Sequence, residues 1–296
     1  MSSYILSCCS TADTSREWAE KRNVFWLPFN FELGGTWYKD DFGKSVPPKE
    51  LYTRMLSGED ATTSQVATGE YLAFFKSKLK EGLDIIHITL SSGISNTYNS
   101  ACLAADQLRE QYPERTIRVI DALTASPGYG LLVDKLADLR DQGMKASELA
   151  DWAEEHRHDV NTLFLSSDLR FFVKGGRISK AAGFFGGMLK VCPLMRVAND
   201  GSLEVMEKIR TKAKSEERML QRMKELAQNG VDYNDKVFIT NSDCMEDALD
   251  VAHAIEAAFP HIDESKIQVF PIGATIGVHT GPGTVALAFW GTPDRW

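Results

Sequence analysis

Residues 84–113, DIIHITLSSGISNTYNSACLAADQLREQYP, read in turn as a strand, a polar loop and a helix. DIIHITL is a short run of β-branched residues. After the loop, Tyr98, Ala101, Cys102 and Ala105 recur on one helical face until Pro113 stops the pattern. TIRVID then opens another strand, and two strands joined through a helix lie parallel in one sheet. Upstream, YILSCC repeats the strand signal. TGEYLAFFKSKLKEG places Tyr71, Phe74, Phe75, Lys78 and Leu79 at helical spacing before Gly82, a natural C-cap. The chain therefore reads as an α/β protein with a largely parallel sheet.

Residues 127–158 make two helical stretches broken at Gly143, after which TLFLSS opens a second unit. The expected domains are 1–160 and 161–296. The second has its own strands (PLMRV, SLEVMEK, KVFIT, IQVFPIG, TVALAF) and two long helices, one with an apolar stripe of Met219, Leu220, Met223, Leu226 and Ala227.

A chain of 296 residues suits two domains or one large one, and 43% hydrophobic with 25% charged residues is a globular composition. No apolar window approaches the ~18 residues of a membrane span, and MSSYILSCCSTAD lacks the basic and apolar regions of a secretory signal, so a cytoplasmic location is expected. A formal charge of −8 without a Lys/Arg block argues against nucleic-acid binding. Five cysteines with no C-x-x-C pair and no histidine at zinc spacing read as thiols, not bridges or metal ligands.

Three polar clusters interrupt the pattern. ATTSQVATGE (61–70) reads as a hydroxyl-rich loop; Thr68 as a helix cap explains one hydroxyl but not Thr62, Thr63 and Ser64 together. In LSSGISNTYNSA (90–101), Ser95 or Asn96 caps a helix beyond a strand's carboxyl end, where α/β sheets collect ligands and helix N-termini favour anions. Ordinary polar loops would use the same residue types. IGVHTGPG reads as an apolar strand leading to His279, Thr280 and two glycines that admit a ligand. Its G-x-G-x-x-A spacing is not a dinucleotide turn, because TVALAF follows as a strand where a helix is required.

No nucleophile elbow is present, and the GKS at 43–45 has Tyr38 where a P-loop needs glycine. His156 and His158 face different directions and read as surface residues. DLRFFVKGGRISKAAGFFGGMLKVCP (168–193) sets glycines beside Phe171, Phe172, Phe184, Phe185, Met188 and Leu189, which suits either a slot for a long apolar guest or helix packing. Lys174 and Arg177 flank its first glycines and suit phosphate or plain surface charge.

CSTAD (9–13), TTSQ (62–65), LSSGISNTY (90–98), DLRFFVKGGRIS (168–179), PLMRVANDGSLEVMEKIRTKAK (193–214) and HTGPG (279–283) occur in an order and spacing that resemble the DegV family of bacterial fatty-acid-binding proteins. The resemblance implies an N-terminal Rossmann-like, largely parallel sheet and a C-terminal mixed α/β domain, with a long-chain fatty acid held between them and its carboxyl group presented to a separate fatty acid kinase. It further implies that Thr63 with Ser64, Ser95 with Asn96, and His279 with Thr280 hold the carboxylate. Arg177 would stand near the mouth and Arg210 would serve docking. No catalytic residue, metal or nucleotide cofactor is implied. The chain departs from the family pattern at Cys9, Val66, Asn96 and Cys192, of which Cys9 and Asn96 are expected close to the head group. Two alternatives remain: an enzyme acting on a small carboxylate with His279 as acid or base, and a lipid-sensing regulatory module.

Overall fold

The computed structural model describes residues 4–178 and 191–293. In chain order the first half runs β1 (Tyr4–Cys9), α1 (Arg16–Lys21), β2 (Val24–Leu27), β3 (Asn30–Leu33), β4 (Thr36–Lys39), α2 (Pro48–Leu56), β5 (Ala61–Ser64), α3 (Thr68–Lys80), β6 (Asp84–Thr89), α4 (Thr97–Gln111), β7 (Ile117–Asp121), α5 (Pro127–Asp141) and α6 (Ala146–His156). Strands β2-β1-β6-β7 form a parallel sheet in that order. β1 is buried along its whole length because helices cover the sheet: α3 and α4 pack on it as one pair, α5 and α6 as another. The face that α4 turns inward is Ala101, Ala104, Ala105 and Leu108, small side chains that let the helix approach its neighbours closely. α3 ends where the sequence places its stop, with Gly82 at φ +79°.

The second half runs β8 (Val160–Ser166), α7 (Arg170–Lys174), β9 (Leu194–Val197), β10 (Leu203–Glu207), α8 (Lys212–Leu226), β11 (Val237–Asn241), α9 (Met245–Ala258), β12 (Ile267–Pro271), α10 (Ala274–Thr280) and β13 (Thr284–Trp290). Its sheet has the order β10-β9-β8-β13-β11-β12, parallel only between β11 and β12. The fold is thus mixed α/β, a parallel sheet beside a mixed one. α5 lies against β8, β11 and β13 as well as β1, so one apolar core runs through both sheets.

Two elements differ from the sequence reading. Residues 61–64 are a strand, not a loop: β5 pairs antiparallel with β3, with Phe31 opposite Thr63, in a small sheet ordered β4-β3-β5. The stretch before HTGPG is a helix, not a strand. α10 is seven residues long and buries Ala274 and Val278, one turn apart, against Phe31, Leu51 and Tyr52. Gly277 makes that approach possible, because a Cβ there would strike the Tyr52 hydroxyl.

Candidate functional site

A cavity of about 350 Å³ lies between the carboxyl ends of β6 and β7 and the inner face of the second sheet. The size falls within the range of ordinary small-molecule pockets. Its apolar wall follows from strand periodicity. Phe164 and Ala286 sit opposite each other on β8 and β13, Val197 and Leu203 opposite each other on β9 and β10, and all four line the cavity. Phe172 of α7 stacks on Phe164 with ring centroids 5.8 Å apart.

The polar end gathers residues that are far apart in sequence. Thr63, Ser64, Ser95, Asn96, His279 and Thr280 all line this one cavity, and so does Arg177. Thr63 hangs from β5 and His279 from the last turn of α10; Thr63 Oγ1 lies 2.7 Å from His279 Nε2. Burial, with a smaller contribution from the Arg177 charge, pulls the His279 imidazole down to about 4, so it is neutral at physiological pH. Its Nδ1 is buried without a hydrogen-bond partner and faces Gly175, where a Cβ would collide with it.

Ser95 and Asn96 stand at the start of α4. Ser95 Oγ accepts from the Thr97 N–H at 3.3 Å, whereas Asn96, the N-cap residue, makes no capping bond with its side chain. Behind them, Tyr71 Oη lies 2.8 Å from Thr97 Oγ1 and 3.2 Å from Cys9 Sγ. Cys9 itself does not line the cavity. It is fully buried, burial pushes its thiol up to about 12, and it supports the start of α4 from inside the core.

Arg177 is held by backbone carbonyls, with Nη1 donating to Gly175 O at 2.6 Å and Nε to Ile94 O at 3.3 Å. No carboxylate pairs with it among the described residues, and burial draws its pKa below the ordinary value. Lys174 instead pairs with Asp60 at the surface. Arg210 is exposed after β10 and does not line the cavity.

The glycines of HTGPG do not line it either. Gly281 (φ +67°) backs onto Phe171, where a Cβ would clash, and with Gly283 (φ +81°) it turns the chain from α10 into β13. Phe171 is thereby committed to packing, while Phe172 reaches the cavity. Phe184, Phe185, Met188 and Leu189 lie outside the described residues.

The sequence reading missed Gln65, which lines the cavity and donates to Ser100 Oγ at 2.8 Å, tying β5 to α4; its place in TTSQ was the available signal. It also missed Ser126, at φ +50° just before α5, whose signal is a tertiary contact invisible in the sequence. Among the described lining residues the ionisable side chains that titrate are His279 and Arg177. No group of three or more potential metal ligands occurs among the described residues, and all five cysteines are free thiols.

Comparison with known proteins gives consistent matches over nearly the whole chain. A family model described as an uncharacterised protein of the DegV family matches residues 9–291. A DegV domain-containing protein of Clostridium perfringens is 32% identical over 292 residues, covering 98% of each chain. Among solved structures, DegV of Bacillus subtilis, described as a fatty acid binding protein, is 26% identical with a TM-score of 0.82, covering 98% of this chain and 99% of its own. The fatty acid kinase B3 protein of Streptococcus pneumoniae, loaded with linoleic acid, is 22% identical at a TM-score of 0.82 and the same coverage, a likeness of fold.

Proposed function

The chain belongs to the DegV family, and from that premise we propose that it binds a long-chain fatty acid in the cavity between its sheets and presents the carboxyl group to a partner kinase that makes acyl phosphate. The observation that carries this reading is the make-up of the cavity: an apolar wall of Phe164, Phe172, Val197, Leu203 and Ala286 ends at a neutral Thr63–His279 pair. The fatty-acid-binding B. subtilis relative of the same fold supports it. In this reading residues 1–160 and 161–296 are two lobes that close on the lipid.

Burying the tail supplies the affinity, at roughly 0.8 kcal/mol for each methylene removed from water. Neutral donors then suffice for the head group. If His279 Nε2–H donates to Thr63 Oγ1, the Thr63 hydroxyl proton is free for the carboxylate, and the buried Nδ1 is left as an acceptor instead of an orphaned donor. Ser64, Ser95, Asn96 and Thr280 complete the donor set. Arg177, without an acidic partner among the described residues, stands ready at the mouth for the anionic groups that meet there during transfer, and exposed Arg210 serves docking. The protein itself carries no chemistry and needs no metal or nucleotide; a cytoplasmic site of action matches a soluble kinase partner.

Titration of delipidated protein with palmitate tests the reading. Wild type binds with saturable heat, and Thr63→Val, which keeps the shape and removes the hydroxyl, binds about tenfold more weakly. No binding by wild type, or full affinity in Thr63→Val, refutes it.

A further inference from the structure

Two buried aspartates lie at the far end of α10 from His279. Asp13 and Asp40 are each no more than 2% exposed, and neither forms an ion pair among the described residues. Their carboxylates take the first N–H groups at the start of the helix. Asp13 Oδ1 accepts from Gly273 at 2.9 Å, while Asp40 accepts from Ala274 at 3.1 Å and Thr275 at 3.2 Å. A helix of seven residues has little stability of its own, so its placement depends on what holds its ends.

The same carboxylates reach the cavity wall by other routes. Asp13 Oδ2 accepts from Ser126 Oγ at 2.6 Å, and Ser126, held at φ +50°, lines the cavity. Asp40 Oδ2 accepts from Ser10 Oγ at 3.1 Å, and Ser10 Oγ in turn accepts from the N–H of Phe29, another lining residue. Gly273 is the close-approach point. A Cβ there would stand 2.9 Å from Asp13 Oδ1 and 3.1 Å from Asp40 Oδ1. Burial pushes the carboxyl groups of both residues up, and the donors around them act in opposition.

We infer that Asp13 and Asp40 are positioning residues for the head-group clamp: by gripping the start of α10 they set His279 and Thr280, at its other end, against Thr63. The inference rests on the proposed lipid site. The pair does not touch the lipid. It fixes the helix whose one face presents Thr275, Ile276, His279 and Thr280 to the cavity.

The test compares palmitate with methyl palmitate, which shares the tail and lacks the carboxylate, in Asp40→Asn and Asp13→Asn, together with ¹⁵N shifts of the His279 ring. The expected result is that palmitate affinity falls roughly tenfold, as for one lost clamp hydrogen bond, while methyl palmitate affinity stays within about threefold. The His279 ring nitrogens shift at the same time. Ser126→Ala, which removes the Asp13 link to the cavity wall together with a Thr240 hydroxyl contact, serves if an aspartate variant does not fold, and should weaken palmitate selectively. Equal losses for both ligands, or unchanged ring shifts with unchanged affinity, overturn the inference. If wild type binds neither ligand the lipid reading falls, and the positioning role is then decided by the His279 shifts alone.

Discussion

Gly175→Ala perturbs the His279 clamp from a position that does not itself line the cavity. Gly175 has φ −73° and ψ −11°, which alanine adopts freely, so the backbone is not strained. The new Cβ would collide with His279 Nδ1 and stand 3.2 Å from Cε1 and Cγ. Restoring an ordinary separation of about 3.5 Å moves the ring by on the order of 1 Å. That push runs from Nδ1 towards the Nε2 side of the ring, against Thr63, so the 2.7 Å Thr63–His279 bond cannot keep its geometry and the ring has to turn out of it. Overpacking costs about 1–3 kcal/mol, offset by roughly 0.5–1 kcal/mol from replacing a glycine near a helix end, so the fold survives. A hydrogen bond to a charged carboxylate is worth about 1.5–3 kcal/mol, so palmitate affinity drops about 10- to 150-fold. Calorimetry with palmitate and methyl palmitate, alongside a thermal melt, reads the effect. A folded variant that binds palmitate within about threefold of wild type refutes the clamp geometry.

The histidines predict acid sensitivity. Burial holds His87 down to about 3 and His279 down to about 4, against an ordinary 6.5, so the unfolded chain takes up protons first as pH falls below that value. Stability is full above about pH 6.5 and falls by about 2 kcal/mol per histidine by about pH 5; urea unfolding against pH measures this, and an unchanged slope in His279→Gln contradicts it. Ala286→Phe fills the apolar end of the cavity and shifts preference to shorter acids, at roughly 0.8 kcal/mol per excluded methylene; an unaltered chain-length profile places the tail elsewhere. Arg177→Gln keeps lipid affinity within about threefold but lowers acyl-phosphate formation with a DegV-partner kinase by roughly tenfold; equal loss of both assigns Arg177 to lipid binding instead.

The strands β1, β6 and β7 were legible because continuous apolar runs mark strands of a sheet covered by helices, with β1 and β6 inside it and β7 at its edge, and the polar residues lining the cavity were legible because hydroxyls cluster in β5 and just after β6. β3, β4 and β5 were not: TWYK and ATTS carry no apolar run, and β5 is specified by pairing with a strand some thirty residues earlier. α10 was misread because Ile272, Ile276 and Val278 fall at even spacing and mimic a strand. Its caps, Asp13 and Asp40, lie 260 and 234 residues away from the N–H groups they accept, beyond any local signal. HTGPG drew attention for its glycines, yet His279 and Thr280 face the cavity while the glycines turn the chain and seat Phe171.

Mass spectrometry of the lipid extracted from freshly purified protein tests the central claim most directly. Retention of a long-chain fatty acid in near-stoichiometric amount, replaced by a shorter acid when Ala286→Phe fills the apolar end of the cavity, is the predicted result. A small polar metabolite in its place, or an empty protein that palmitate fails to saturate, contradicts it.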